Sequence, residues 1–368
     1  MQFVDLQAQR KRLGADIDAA IARVLEHGVF IHGPEVKQFE EELAAFVGAQ
    51  HCVACGNGTD ALVLALRALD LKSGQGVIVP SFTFAATAEA VVLAGGVPVF
   101  ADVDAATFNL GAPAAAQARK EAETRGIDVV GVIAVDLFGQ PADYTSLAAQ
   151  LDGLWIVADA AQSIGGAVGE TRVGALAPVT TTSFFPAKPL GCYGDGGALL
   201  TDDDDLAALL QSLRVHGQGS DKYDNVRVGT NSRLDTIQAA ILRVKLAAFP
   251  DELGERQRVA DGYRAAFAGT AVTPPPVTEG FRSAWAQYTI RTPQRDAVAQ
   301  ALADEGIPTA VYYRQPLHEA TAYRQYAGAD LPVTTAASTE VLSLPMGPDL
   351  REEQVERVAA SVLAALAT

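Results

Sequence analysis

The sequence predicts an α/β protein with a large domain built on a mostly parallel sheet and a smaller α+β domain at the C-terminal end. Two patterns indicate this fold class: short, continuously apolar runs that alternate with helical stretches, and a proline-rich connection late in the chain. Strands that are apolar along their whole length fit a sheet covered by helices on both faces. Ligands of such sheets bind at the carboxyl ends of the strands.

Two helices are predicted at the start, over 15–27 and 34–47, the second with Pro34 in its first turn. A strand-like run follows at 51–55. The apolar runs that predict the parallel strands are 76–80, 97–103, 129–137 and 154–159. The helical stretches between and around these strands are 59–70, 84–94, 113–125 and 143–151.

Past the middle of the chain, Asp195-Gly196 predicts a tight turn into another strand, and the acidic run 202–205 predicts the start of a helix. The pattern over about 233–268 is helical with a break near Pro250, and the segment 273–276 is typical of a domain connection. The C-terminal elements predicted beyond it are a strand over 285–291, a helix over 294–305, a strand over 308–313 and a closing helix over 351–366. We therefore expect a large domain over 1–248, which includes the N-terminal helices, and a small α+β domain over 249–368.

The composition excludes several classes of function. A net charge of -16 repels a phosphate backbone, so we expect no nucleic-acid partner. No apolar run is long enough to span a bilayer and the N-terminal residues lack the apolar core of a secretion signal, so we expect a cytoplasmic protein without a membrane partner. Cys52 and Cys55 form a C-x-x-C without a second pair, and the five histidines show no metal spacing; we expect both cysteines in the core and no metal site.

Lys188 lies in the most distinctive segment of the chain, T-S-F-F-P-A-K-P-L-G over 182–191. The two prolines exclude a regular helix or a central strand there. An amine among apolar groups loses hydration in its charged form, so its pKa falls and the neutral, nucleophilic form becomes accessible. Such a lysine suits Schiff-base chemistry. The same segment also fits a lysine whose stem packs over Phe184 or Phe185 while its ammonium reaches water.

Two further features belong to the same chemistry. The turn G-N-G-T-D-A over 56–61 lies between a strand and a helix, where free N–H groups and a hydroxyl can hold a phosphate, although many such turns bind nothing. Asp159 ends an apolar strand at the ligand-binding edge of the sheet, either as a helix cap or as the partner of a buried cation. An aldehyde cofactor with a pyridine ring and a phosphate needs an amine, a carboxylate and a phosphate site together. Pyridoxal 5'-phosphate (PLP) fits these needs.

The order of these motifs resembles the DegT/StrS-type nucleotide-sugar aminotransferases. The matching segments are G-N-G-T-D-A, D-A-A-Q-S over 159–163, S-F-F-P-A-K-P-L-G-C-Y-G-D-G-G-A over 183–198 and N-S-R-L-D over 231–235. The resemblance covers essentially the whole chain and implies the aspartate aminotransferase fold, which is PLP-dependent transferase fold type I, with the large domain binding the cofactor. The sequence G-D-G-G after the lysine resembles the branch that acts on 3-keto sugars, since 4-aminotransferases more often carry G-E-G-G.

For the reacting groups, the resemblance implies that Lys188 forms the Schiff base with PLP and then moves the proton between substrate and cofactor. Asp159 pairs with the pyridinium nitrogen. Phe84 corresponds to the aromatic residue that stacks on the ring, and Gln162 lies near the 3-hydroxyl group. Lys188 and Asp159 are therefore the predicted catalytic residues.

For the phosphate, the resemblance implies contacts from Gly58, Thr59 and Ser183. In the family, an asparagine of the neighbouring subunit completes this site; here it corresponds to Asn231, with Arg233 beside it reaching the sugar nucleotide. We therefore expect a homodimer whose active sites are shared between subunits.

The segment Y-Y-R-Q-P-L-H over 312–318 departs from the family, whose members commonly read His-Tyr-Pro before a Pro-Leu pair. We expect Tyr312, Tyr313 and Arg314 to line the substrate site. Arg314 either grips a carboxylate or a diphosphate, or is a solvated surface residue. The identity of the sugar stays open for this reason.

The activity that the resemblance implies is amino transfer from L-glutamate to a 3-keto nucleotide sugar, with 2-oxoglutarate as the second product, for surface-polysaccharide synthesis such as that of O-antigen. The sugar is expected to be UDP-2-acetamido-2-deoxy-3-oxo-glucuronate or a related UDP-3-keto-N-acetylglucosamine. The alternatives are a dTDP-3-keto-6-deoxyhexose, a 4-keto sugar, and a sensor without turnover. A 3-dehydratase of the same fold carries histidine in place of the lysine, and a dinucleotide-dependent oxidoreductase would need a G-x-G-x-x-G after its first strand.

Overall fold

The computed structural model of the protein describes residues 1–221 and 223–367, with helices α1–α11 and strands β1–β12 numbered in chain order. Its centre is a seven-stranded sheet in the order β1-β9-β8-β5-β4-β2-β3. The strands of this sheet are β1 (His51–Cys55), β2 (Gly76–Pro80), β3 (Val97–Ala101), β4 (Val129–Val135), β5 (Trp155–Asp159), β8 (Val179–Ser183) and β9 (Gly197–Thr201). Five neighbouring strands, from β3 to β8, run parallel, and β9 is antiparallel to both β8 and β1. The predicted mostly parallel sheet is confirmed.

Both faces of the sheet are covered, which explains its continuously apolar strands. Along β2, Val77 and Val79 join one core and Ile78 joins the core on the opposite face. Cys52 and Cys55 likewise face opposite sides of β1, and both are buried free thiols, as predicted. The helices that accompany the sheet are α1 (Leu6–His27), α2 (Pro34–Val47), α3 (Gly58–Ala68), α4 (Ala86–Leu93), α5 (Ala112–Thr124), α6 (Tyr144–Gln150) and α7 (Asp204–Leu213).

Two of these helices begin at acidic residues. Helix α1 starts nine residues before the predicted position, because the Asp5 side chain accepts a hydrogen bond from the Ala8 amide at 2.9 Å and caps it. The acidic run after β9 begins α7 as predicted, with Asp203 as its cap. The Asp203 carboxylate accepts from the Leu206 amide at 2.9 Å. Negative charge at these positions also suits the helix dipole.

Helix α8 (Thr236–Phe267) is continuous through Pro250, so the predicted break there is wrong. Proline removes one backbone hydrogen bond, but the helix is buried along its length and packing offsets that loss. Its first half contributes Leu242 and Phe249 to the core beside the large sheet, and its second half contributes Tyr263 to the C-terminal core. The predicted boundary at 248/249 falls inside this helix, and the division into two domains stays a prediction.

The C-terminal part has a strand pairing that the sequence did not predict. Strand β11 (Tyr288–Arg291) is shorter than expected and pairs antiparallel with the unpredicted strand β12 (Val341–Leu344). The predicted strand over 308–313 is wrong: it makes a single bridge at Ala310, after which the chain turns toward the large sheet. The remaining elements are β6 (Ala167–Val168), β7 (Thr171–Arg172) and β10 (Phe281–Arg282) in a small sheet, and the helices α9 (Arg295–Asp304), α10 (Pro332–Glu340) and α11 (Glu352–Leu366).

No helix in the described ranges combines the length and the apolar character that a membrane crossing requires.

Candidate active site

The candidate site lies where the strands β5 and β8 end side by side. Asp159 is the last residue of β5 and Ser183 the last of β8, and the two strands are parallel neighbours. Lys188 follows five residues after Ser183, in a turn in which its amide donates to the Phe185 carbonyl at 2.8 Å. The carboxyl edge of the sheet therefore brings together three side chains that the sequence singled out.

Asp159 is only 6% exposed. Its carboxylate accepts hydrogen bonds from the Thr87 hydroxyl at 2.9 Å and from the Ala161 amide at 3.3 Å. Burial raises the pKa of Asp159, while these two hydrogen bonds and the positive charge of Lys188 act in the opposite direction. A carboxylate in this setting is stabilised as an anion by any further positive charge that binds beside it.

Lys188 has the environment that its sequence indicated. Burial lowers the pKa of its amine, and the nearby charge of Asp159 raises it, with burial the larger effect. Lys188 is thus closer to its neutral form at physiological pH than a solvated lysine is. Lys188 is half-buried in the single chain, so the alternative of a stem packed over Phe184 or Phe185 with an ammonium that reaches water stays open.

A second buried lysine, Lys245, makes a useful comparison. Its ammonium donates to the Gly191 carbonyl at 2.7 Å and lies 4.4 Å from the centre of the Tyr193 ring. Burial lowers the pKa of Lys245 to about 8. Because a backbone carbonyl and an aromatic face hold its amine in place, Lys245 supports the loop after Lys188 rather than facing the sheet edge.

The turn before α3 packs closely on Ser183. A Cβ atom placed on Gly58 would lie 2.7 Å from Ser183 Cβ and 3.2 Å from Ser183 Oγ, so only glycine fits. The Asn57 side chain caps α3 by accepting from the Asp60 amide at 2.8 Å, and Thr59 stands partly exposed in the first turn. The Ser183 hydroxyl and the start of an eleven-residue helix therefore face one small space.

Tyr313 contacts two other predicted site residues, Gln162 and Phe84. The Gln162 amide donates to the Tyr313 hydroxyl at 3.3 Å and its oxygen accepts from the Phe138 amide at 2.6 Å. Phe84 is 59% exposed, and its ring centre lies 6.3 Å from that of Tyr313. Burial raises the pKa of Tyr313, so its phenol stays neutral. The Tyr312 ring, half-buried, lies 6.3 Å from the ring of Phe3.

Asp136, at the end of β4, is a buried acid that the sequence analysis missed. Its carboxylate accepts from the Tyr144 hydroxyl, from the Ala142 amide at 2.7 Å and from the Ser163 hydroxyl at 2.6 Å. Burial raises the pKa of Asp136 to about 7, against the effect of these three hydrogen bonds. Because Ser163 follows Gln162, Asp136 anchors the segment that carries Asp159 and Gln162. The sequence signal that could have identified Asp136 is an acid at the end of a buried strand.

Within the described part of the chain, three predicted site residues do not join the cluster of Asp159, Ser183 and Lys188 at the sheet edge. Asn231 is exposed, and its side chain makes no hydrogen bond to the described residues. Its neighbour Ser232 is fixed instead, because its hydroxyl donates to Asp60 at 2.6 Å. Arg233 is half-buried and Arg314 exposed, and neither forms an ion pair within residues 1–221 and 223–367. These side chains remain open to a ligand or to another subunit.

A lysine whose pKa is lowered, beside a buried carboxylate at the carboxyl edge of a mostly parallel sheet, defines an enzyme site of the aspartate aminotransferase fold. The profile of the DegT/DnrJ/EryC1/StrS aminotransferase family matches residues 11–363, and the chain belongs to this family. The predicted family, fold class and class of enzyme are confirmed.

Individual relatives match nearly the whole of this chain. The UDP-2-acetamido-2-deoxy-3-oxo-D-glucuronate aminotransferase of Pseudomonas aeruginosa is 44% identical over 364 residues, which cover 98% of this chain and 99% of the relative. The crystal structure of a DegT DnrJ EryC1 StrS aminotransferase from Brucella abortus has a TM-score of 0.95 and 47% identity, and the match covers 98% of each chain. NtdA from Bacillus subtilis, solved with bound cofactor PMP, has a TM-score of 0.87 and 29% identity, with 97% of this chain and 82% of that chain covered.

Proposed function

We propose that the protein is a PLP-dependent aminotransferase that transfers the amino group of L-glutamate to the C3 ketone of a UDP-linked 2-acetamido sugar. The observation that carries this proposal is the pairing of Lys188 with Asp159, in which burial lowers the pKa of the amine beside a buried carboxylate. The choice of a C3 ketone is supported by the name of the relative from Pseudomonas aeruginosa. The preferred sugar is a 3-oxo-glucuronate, with UDP-3-keto-N-acetylglucosamine as the close alternative.

The residues at the sheet edge fit PLP. Its phosphate suits the space between Gly58, Thr59 and Ser183, which a Cβ on Gly58 would fill and which faces the N-terminus of α3. A ring nitrogen that carries a proton suits the Asp159 carboxylate. The 3-hydroxyl group suits Gln162, and the exposed ring of Phe84 offers a face for stacking. PLP is the cofactor that we assign to this site.

When bound, PLP supplies a conjugated ring that withdraws electrons from the reacting carbon. Asp159, oriented by Thr87, holds a negative charge where it keeps the ring nitrogen protonated. Lys188 Nζ would accept the proton from the α-carbon of the donor and then donate it to the cofactor. A positioned amine of this kind contributes about 10²- to 10⁴-fold in rate. Burial lowers the pKa of Lys188, so a larger fraction of its amine is available as a base than in a solvated lysine.

The proposed active unit is a homodimer whose sites are shared. Several large apolar side chains are exposed in the single chain, among them Phe30, Ile31, Phe185, Val226 and Val228. Exposed apolar residues in this number favour burial against a second copy. Asn231 is exposed and lacks a partner for its side chain in the described part of its own chain, which suits a phosphate contact across the interface. Arg233 follows it toward the nucleotide sugar.

Arg314 is proposed to bind the negatively charged part of the sugar nucleotide, with Tyr312 and Tyr313 lining the site. It is exposed one residue after Tyr313, whose hydroxyl meets Gln162. An arginine there fits a 6-carboxylate in two-pronged geometry. Replacement of Arg314 by alanine should therefore reduce kcat/KM for a 3-oxo-glucuronate substrate more than for the corresponding 6-hydroxyl sugar.

The test of the activity uses the PLP-loaded protein with L-glutamate and a panel of UDP- and dTDP-linked 3-keto and 4-keto sugars, with the product amine identified by mass spectrometry. We expect the UDP-3-keto sugars to be aminated and the visible absorbance of the protein to fade when glutamate alone is added. A 4-amino or dTDP-linked product would select the alternative substrates. A protein that binds the sugars without amino transfer would be the sensor.

A second test asks which lysine carries the cofactor. Borohydride reduction followed by peptide mapping should find the cofactor on Lys188 and not on Lys245, the other buried lysine described above. Lys188→Ala should abolish turnover without unfolding the protein. Labelling of another lysine, or amino transfer by the variant, would refute the assignment.

The proposed setting is the cytoplasm, in surface-polysaccharide synthesis.

A further inference from the structure

The chain around Lys188 forms a closed loop. The Phe184 carbonyl, at the start of this loop, accepts a hydrogen bond from the Cys192 amide at 2.8 Å. The Cys192 thiol donates to the same carbonyl at 3.0 Å. The two ends of the segment 184–192 are therefore joined, and Lys188 lies midway between them. We name this segment the lysine loop.

The backbone within the lysine loop is closely packed. A Cβ atom placed on Gly191 would lie 2.6 Å from the carbonyl oxygens of Phe185 and Pro186, so only glycine fits there. The Lys188 amide donates to the same Phe185 carbonyl at 2.8 Å. The backbone before Lys188 and the backbone after it are therefore in contact, and a shift of Gly191 would move both. The position of Lys188 thus depends on what fixes Gly191.

Lys245 of α8 fixes Gly191 from outside the loop. Its ammonium donates to the Gly191 carbonyl at 2.7 Å, and the residue is only 2% exposed. Lysine is almost never buried to this extent unless its amine has a partner. An apolar side chain of the same length would fill the space without the cost of burying an amine. The presence of a lysine here therefore indicates that its bond to Gly191 has a role.

The same helix also binds the chain just past the lysine loop. The Gln238 side chain accepts from the Tyr193 amide at 2.8 Å and donates to the Tyr193 carbonyl at 3.4 Å. Lys245 Nζ lies 4.4 Å from the centre of the Tyr193 ring, which adds a cation–π contact. Gln238 and Lys245 are about two turns apart on α8, so both side chains lie on one face of the helix. This face of α8 therefore holds the chain at Gly191 and at Tyr193.

We propose that Lys245, supported by Gln238, is a positioning residue for Lys188: it binds the Gly191 carbonyl and so fixes the lysine loop and the place of Lys188 Nζ. This inference rests on the proposed function, in which Lys188 moves a proton between the donor and the cofactor. Lys245 is held against Gly191 and the Tyr193 ring and takes no part in that transfer. Because a displacement of about 1 Å is enough to slow a positioned catalytic group, a loosened loop should slow the proton transfer.

The first test compares the unmodified protein with Lys245→Met, which keeps an unbranched side chain of similar length and removes the amine. Hydrogen–deuterium exchange of the backbone amides is measured by mass spectrometry on the full chain, with and without PLP. The peptide that covers 184–192 should exchange about tenfold faster or more in the variant, because the loss of a charge-assisted bond lets the loop open more often. Unchanged exchange in this peptide would overturn the inference.

The second test follows the proton transfer itself. L-Glutamate is mixed rapidly with the PLP-loaded protein, and the fading of the visible absorbance is recorded. Lys245→Met should lower the rate constant by about tenfold or more, and glutamate deuterated at its α-carbon should slow the variant further. A purely structural role would lower only the amplitude of the change, which measures the amount of folded protein. An unchanged rate constant would therefore also overturn the inference.

Arg243→Met is the matched control. It removes a cation from the same helix, but Arg243 pairs with Glu42 of α2 at 2.6 Å and not with the lysine loop. This control should match the unmodified protein in both tests. If Lys245→Met does not fold, Gln238→Leu takes its place, because Gln238 is half-buried and carries the two bonds to Tyr193. Unchanged exchange and an unchanged rate constant in Gln238→Leu would then overturn the inference.

The two tests also separate this inference from the proposed function. If glutamate does not change the absorbance of the unmodified protein, the proposed function fails, and the exchange of the lysine loop decides whether Lys245 holds it. If the unmodified protein reacts with glutamate and Lys245→Met reacts equally fast, only the positioning role of Lys245 fails.

Discussion

The Thr87 hydroxyl donates a 2.9 Å hydrogen bond to Asp159 Oδ2, which links helix α4 to the carboxylate at the end of β5. Thr87 is completely buried, and its own oxygen lies 3.4 Å from the Thr83 hydroxyl. Helix α4 therefore orients the carboxylate through Thr87, in addition to the strand β5 that carries Asp159. Because Asp159 is buried, this bond is one of the few contributions that favour its charged form.

Thr87→Val should reduce kcat by about tenfold or more, because the loss of a hydrogen bond to a buried carboxylate costs about 1.5 to 3 kcal/mol. The pKa of Asp159 should rise further, so the activity should fall at the acidic end of the pH profile first. The measurement is kcat against pH, with circular dichroism as a check of the fold. Thr180→Val is the matched control, because Thr180 is equally buried and its hydroxyl has no partner in the described chain. Equal profiles for Thr87→Val and the unmodified protein would contradict this role.

Gly58→Ala should weaken cofactor binding. The added Cβ would lie 2.7 Å from Ser183 Cβ, and relief of this clash moves the turn or the serine away from the phosphate space. We expect the dissociation constant of PLP, measured by fluorescence titration, to rise by about tenfold or more.

Gly254→Ala serves as its control. Gly254 is exposed in the interior of α8, and a Cβ there meets nothing within 4 Å. This substitution should leave PLP binding unchanged and stabilise the protein by ~0.5–1 kcal/mol. Tight PLP binding by Gly58→Ala would show that the phosphate lies elsewhere.

Asp136 should make stability depend on pH. Its pKa in the folded protein is about 7 against 3.8 for an ordinary aspartate, so the folded state holds the proton more tightly and stability falls as pH rises through that interval. Asp136→Asn does not titrate. The melting temperature of the unmodified protein relative to the variant should therefore decline between these pH values and level off above about 7. If the melting temperatures of the two proteins change in parallel across this pH interval, the raised pKa of Asp136 is ruled out.

Mixed dimers test whether Asn231 acts across the subunit interface. Homodimers of Lys188→Ala and of Asn231→Ala should both be inactive or strongly impaired. A heterodimer of the two has one site with both residues intact if Asn231 serves the neighbouring subunit, and random mixing should recover about a quarter of the full activity. If Asn231 acts within its own chain, the mixture should show no recovery, and the shared site would be wrong.

Local patterns in the sequence predicted most of the large sheet. The runs over 76–80 and 51–55 match β2 and β1 residue for residue. For β2, the reason is that an apolar β-branched stretch with turn residues on both sides has few other solutions. The predictions failed where distant contacts dominate. Pro250 is held inside α8 by packing on two cores, and the segment 308–313 makes only a single bridge, from Ala310 to Ser343 of β12, a strand that lies far away in sequence and pairs along its length with β11.

The candidate site divides in the same way. Lys188 was recognisable from its apolar, proline-flanked surroundings, and Asp159 from its position at the end of an apolar strand. Thr87 was not recognisable, since a threonine within a helix is an ordinary residue locally. Its importance comes from the Asp159 carboxylate that lies opposite it.

The sequence by itself determined most of the strands and helices around the large sheet, the carboxyl-edge position of Asp159 and the apolar segment around Lys188, because hydrophobic period and turn chemistry act over a few residues. Only the tertiary structure decided which distant groups meet: Thr87 with Asp159, and Ser163 with Asp136. The reason is physical. The pKa of a buried group and the partner of a buried donor depend on desolvation and on atoms a few ångströms away, and chain folding brings those atoms from any part of the sequence.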